Sequence, residues 1–129
     1  MFYNSYAIEF FARIPTMLGR EPAETVVLTM LRDERVVAVV ELPAEDATPQ
    51  AISARVHQIA YALRADAVAM AAIAARRAAK VITAVDHAAA ELPAHGIAVV
   101  AAVHVFDLRP GGMWTDLVRD GGGVLGAAT

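Results

Sequence analysis

Two runs rich in Val, Leu and Thr, Thr25 to Arg32 and Arg35 to Leu42, are separated only by Asp33-Glu34. Runs of this kind so close together read as the arms of an antiparallel hairpin, which commits the chain to a β-sheet. The Asp-Glu pair lacks the glycine that tight primed turns favour, so a slightly longer loop is also compatible. Helical and strand-like segments then alternate. Thr48 as N-cap and Pro49 at the first helical position open a helix with Ile52, Val56, Ile59 and Leu63 on one stripe. Ala67 to Ile73 is short and apolar, and its position makes it a strand. Arg76 to Leu92 reads as a long helix with Ala78, Val81, Ile82, Val85, Ala89 and Leu92 buried, closed by Pro93 and Gly96. Ile97 to Phe106 is apolar at both parities, as a strand covered on both faces requires. Arg109-Pro110-Gly111-Gly112 turns the chain into a last strand, Met113 to Val118.

Ahead of the hairpin, Tyr6 to Leu18 places Ile8, Phe11, Ile14, Met17 and Leu18 at helical spacing, interrupted at Pro15 and stopped by Gly19. The order α-β-β-α-β-α-β-β specifies one α/β domain over residues 1–120, a mixed five-stranded sheet flanked by helices. A flexible Gly-rich tail, 121–129, follows. A helix crossing between consecutive strands aligns them, so the second, third and fourth strands run together while the first and fifth oppose them.

At 129 residues the chain suits a single core, and 57 % apolar with 19 % charged residues excludes a disordered tail. Alanine fills 29 positions and inflates the apolar fraction. A membrane span needs roughly 20 apolar residues, yet the longest stretch free of Asp, Glu, Lys and Arg, Leu92 to Phe106, contains Pro93, His95, Gly96 and His104. No transmembrane helix is expected. With no cysteine there is no disulfide, thiolate metal site or thiol nucleophile. Met1 to Ser5 offers neither a basic start nor an apolar signal core, so no secreted precursor is expected and the cytoplasm is the expected compartment. A net charge of −3 argues against nucleic acid and anionic lipid as partners.

The stretch Ile14-Pro15-Thr16-Met17-Leu18-Gly19-Arg20-Glu21-Pro22-Ala23-Glu24-Thr25-Val26-Val27-Leu28, followed by Val39-Val40-Glu41-Leu42-Pro43, resembles the opening of the actinobacterial domain-of-unknown-function family four-one-nine-two. Pro15, Leu18, Gly19, Pro22, Val26 and Val27 match that family's pattern, and Trp114-Thr115 resembles its tryptophan-plus-hydroxyl element. The departures are Glu21-Pro22-Ala23-Glu24 in place of a His-Pro-Glu-Asp run, and the absence of the family's cysteine-containing turn. The resemblance covers the first part of the family and implies a short member from an actinobacterium or one of its phages. It implies no activity, because the family has none established.

Two constellations carry chemical potential. Arg76, Arg77 and Lys80 crowd the start of a helix whose dipole repels cations and favours an anion. Beyond the carboxyl ends of parallel strands, such a cluster suits a phosphate- or carboxylate-bearing ligand; the competing reading is a solvated helix end paired with a nearby acid. Around the last hairpin stand His104, Asp107, Arg109, Trp114 and Asp116. His104 and Asp107 are the candidates for general acid-base work, Arg109 for holding an anion and Trp114 for stacking. Against this, His104 shares a parity with Val100 and Phe106 and so points into a packed layer. His57 with Tyr61, and His87 with Glu91, are ordinary helical pairs. Glu21 and Glu24 form a small acidic turn. No metal spacing, glycine-rich phosphate loop, nucleophile elbow or cofactor motif is present.

The expectation is therefore a non-enzymatic protein-binding or regulatory module that acts through a protein partner or as a homo-oligomer. The alternative is a binder of, or an enzyme acting on, a small anionic ligand held by Arg76, Arg77 and Lys80.

Overall fold

The computed structural model describes residues 23–105, 113–117 and 122–124. Strands β1 (Thr25–Arg32) and β2 (Arg35–Pro43) form the hairpin, with Arg32 opposite Arg35. Its loop is two residues long: Asp33 at φ 51° and Glu34 at φ 66° both adopt the left-handed conformation of a primed turn. Strand twist selects that turn without glycine, and the left-handed backbone at Glu34 is the cost. Leu31 lies opposite Val36 and Met30 opposite Ala38, so Val37 is a bulge residue.

A 3-10 turn, Ala44–Asp46, leads into helix α1 (Pro49–Leu63). The Thr48 hydroxyl accepts the Ala51 N–H at 3.0 Å, the N-cap that Thr48-Pro49 predicts. Arg64 ends α1 in a left-handed conformation, and Arg32 Nη1 donates to the Leu63 carbonyl at 3.0 Å. Strand β3 (Ala67–Ile73) is buried throughout. Helix α2 (Ala78–Glu91) runs into a 3-10 turn, Leu92–His95, closed by Gly96 at φ 83°. Strands β4 (Ala98–Val105), β5 (Met113–Asp116) and β6 (Gly122–Val124) follow. The expected helix over Tyr6 to Leu18 lies outside the described residues.

The sheet order is β2-β1-β3-β4-β5-β6, four long strands extended by two short ones. This corrects the five-stranded expectation. The additional strand, β6, falls in the segment expected as a tail and pairs antiparallel with β5. Strands β2, β3 and β4 do share a direction, but β1 stands between β2 and β3, so β3 and β4 are the parallel pair. The reason is legible in burial. β1 is apolar at both parities and buried from Thr25 to Leu31, whereas β2 is half-buried along most of its length and takes the edge.

Both crossovers, β2-α1-β3 and β3-α2-β4, step the same way across the sheet, and with one hand that puts their helices on one face. Ile52 and Val56 of α1 and Val81, Ala84, Val85, Ala88 and Ala89 of α2 share a core with Val26, Leu28, Met30, Val68, Met70 and Ala72. Leu28, Met30, Ile52 and Met70 are fully buried, each contributing about 1.5–3 kcal/mol by burial. The opposite face carries a second buried cluster, with Val27, Leu31, Ile73, Val103 and Val105 among its members. Four of the alanines, Ala67, Ala69, Ala71 and Ala72, line β3 between two apolar layers.

Candidate functional site

Thr25 pairs with Ile73, so the residue before β1, Glu24, lies at the carboxyl end of β3. There the chain leaves the sheet through Ala74, whose N–H still bonds the Val105 carbonyl at 3.0 Å, and turns into α2. The N-cap of α2, Arg77, supplies no side-chain cap. The Glu24 carboxylate takes its place: Oε2 accepts the N–H of Ala75 at 2.7 Å and of Arg76 at 3.3 Å, and Oε1 accepts that of Arg77 at 3.0 Å. Three successive backbone donors converging on one carboxylate make an anion nest at a helix start. Its occupant belongs to the chain itself.

The carboxyl of Glu24 is held below its usual range, chiefly by the Ala75 N–H. Desolvation opposes this shift, and the N–H groups of Arg77 and Arg76 and the Arg76 charge reinforce it. Glu24 sits at φ 49°, a left-handed conformation that a residue with a Cβ adopts at a cost.

The cations expected to bind an anion gather here, differently placed from the expectation. Arg76 and Arg77 precede α2, and of the three only Lys80 lies in its first turn. Lys80 Nζ donates to the Glu45 carbonyl at 2.8 Å, and Arg77 Nη1 stands 3.9 Å from Glu45 Oε2. Both partners of that ion pair are more than half exposed, so it adds little. Nor does the topology open a crevice, because a switch point requires helices leaving on opposite faces and both crossovers here use the same one.

His104 is 7 % exposed, and its Nε2 lies 2.8 Å from the Ala74 carbonyl. A carbonyl only accepts, so Nε2 carries the proton. The packed-layer expectation holds, but the face it implied does not. A register shift between Val68 and Ala69 leaves Val100 unpaired in β4. Val100 then packs with Ala101 and Val103, while His104 pairs with Ala72, which belongs to the helix-bearing side. Asp107 and Arg109 lie outside the described residues. Trp114 is placed in β5 opposite Val105 and Gly123, and Asp116 opposite Val103; their side chains are outside the description.

Glu91 approaches His95 at 3.7 Å, although His87 stood at the helical spacing from it, and the His57 and His95 rings meet edge to face at 5.2 Å. Among the described residues no group of His, Asp and Glu is arranged to hold a metal ion. No described helix is long and apolar enough to cross a membrane.

Glu24 is the residue that sequence reasoning missed as a central group. Its partners are 51 to 53 positions away, and only β1–β3 pairing brings them within reach.

No curated protein and no solved structure matches the sequence. The family model described as Domain of unknown function (DUF4192) matches residues 8–128, nearly the whole chain. The match takes in the Pro15 to Val27 pattern, β1 to β6 and the Glu24 nest, and the chain belongs to the DUF4192 family.

Proposed function

We propose that this chain is a non-enzymatic protein-binding module that engages an extended strand of a protein partner, or of a second copy, along the outer edge of β2. The observation that carries the reading is the character of that edge. β2 is nine residues long and Val-rich, Val36 is 39 % exposed, and Val37, Ala38, Val39 and Val40 are half-buried. The Ala44 N–H bonds the Glu24 carbonyl, so by antiparallel alternation the N–H groups of Leu42 and Val40 face β1 and that of Val39 points away. A valine edge with an outward donor is a template for strand addition. The bulge at Val37 and Pro43 bound it at either end. The groups best suited to catalysis or anion binding support the same reading, because Glu24, Lys80 and His104 are engaged in internal hydrogen bonds.

Size exclusion with light scattering tests the self-association form. Wild-type protein gains mass with concentration, and Val39→Pro, which removes an outward donor, restores the monomer, with Val39→Ala as the control for the lost packing of Val39 on the second cluster. A wild-type mass that stays monomeric throughout, with no strand peptide bound, overturns the reading. The alternative, a small anionic ligand at Arg76, Arg77 and Lys80, requires that ligand to displace Glu24. Thermal-shift screening against phosphorylated metabolites addresses it, with an Arg76→Ala/Arg77→Ala variant as control.

A further inference from the structure

The starts of β1 and α2 and the Ala44–Asp46 turn are bonded to one another in a closed triangle. The Glu24 side chain joins β1 to α2 through the N–H groups of residues 75–77. The Glu24 carbonyl joins β1 to the turn through the Ala44 N–H at 2.9 Å. Lys80 joins the turn to α2 through the Glu45 carbonyl. Two of the three sides meet in Glu24, and that residue is held in a left-handed conformation.

We propose that Glu24 is a conformational latch whose release opens the start of α2 and the Ala44–Asp46 turn as one unit. The coupling runs through the backbone of Glu24. A left-handed glutamate persists only while its surroundings hold it there. Once the carboxylate lets go of the three N–H groups, the residue relaxes to negative φ and its carbonyl swings away from Ala44. A helix cap without this strain would fray α2 alone. The charged groups around the latch are Arg76, Arg77 and Lys80 from the α2 side and Glu45 and Asp46 from the turn, with His104 beneath Ala74. The three N–H groups and the Arg76 charge favour the ionised, closed form, and protonation of Glu24 or its replacement by Gln opens it. This inference is independent of the β2 edge.

Amide hydrogen exchange on the whole chain tests it. In Glu24→Gln the amides of Ala75, Arg76, Arg77 and Ala44 exchange faster together, by roughly tenfold, while those at the β1–β3 centre keep their protection. Glu24→Gly removes the carboxylate but tolerates positive φ, so it speeds residues 75–77 and leaves Ala44 slow. The proposal is overturned if Ala44 keeps its protection in Glu24→Gln, or if Glu24→Gly speeds Ala44 equally. Wild-type protein provides the same readout without substitution: on acidification the amide shifts of residue 44 and residues 75–77 follow one midpoint. Separate midpoints contradict the latch.

Discussion

Glu24 does the work that a Ser, Thr or Asp N-cap does elsewhere, from the far side of a strand pairing. Glu24→Gln should lower stability near neutral pH by about 1 kcal/mol, since Gln keeps one acceptor oxygen but loses the charge that strengthens these solvent-screened bonds. The pH dependence has a definite sign. A carboxyl whose folded pKa is depressed stabilises fully above its unfolded value and loses that contribution as pH falls through the folded one. The gap between wild type and Glu24→Gln in urea midpoint should therefore close below about pH 4.5, the ordinary value for this group. A gap that persists in strong acid would assign the effect to something other than the carboxylate charge. Thr29 makes a second case at this scale. It is 1 % exposed, lies between Val39 and Ala69, and its hydroxyl has no hydrogen-bond partner among the described residues. Thr29→Val keeps the shape and removes the unmet bond, so thermal unfolding should show a gain of about 1 kcal/mol. Neither role is written near its residue in the sequence, where Glu24 reads as part of an acidic turn and Thr29 as an ordinary strand threonine. Both depend on which strands become neighbours.

Elements were the most legible scale, because their signals are local. Thr48-Pro49 announces the start of α1, and the cap bond forms as those residues require. Thr48→Ala should cost about 1 kcal/mol in chemical denaturation. The hairpin was legible as a hairpin but open in its loop length, since Asp33-Glu34 contains no glycine. Two left-handed residues resolve it, and Glu34→Gly should raise the melting temperature through a gain of about 0.5–1 kcal/mol. An unchanged or lowered melting temperature would mean that the Glu34 side chain contributes to the turn. The good helix propensity of Arg76 and Arg77 puts the expected start of α2 two residues too early. The loop's N–H groups turn to Glu24 instead, and the helix begins at Ala78. The expected parity of β4 fails at the bulge, since one extra residue at Val100 exchanges the faces of everything after it.

At the scale of the whole molecule, the directions of β2, β3 and β4 followed from counting crossovers, whereas the insertion of β1 between β2 and β3 did not. Hairpin partners can lie on either side of each other, and only the burial of β1 on both faces decides it. That choice places Glu24 at the carboxyl end of β3 and fills the nest from within. It also leaves β2 at the edge with the Val39 N–H directed outward. The DUF4192 match over residues 8–128 ties this arrangement to a family without assigning it an activity, and the proposed function is strand addition at the β2 edge. Amide exchange at Val39, followed as a function of protein concentration, tests that claim most directly. Strand addition predicts that protection at Val39 rises with concentration while Val40, already bonded to β1, stays constant; fast exchange at Val39 at every concentration, unaltered by added strand peptide, would contradict it.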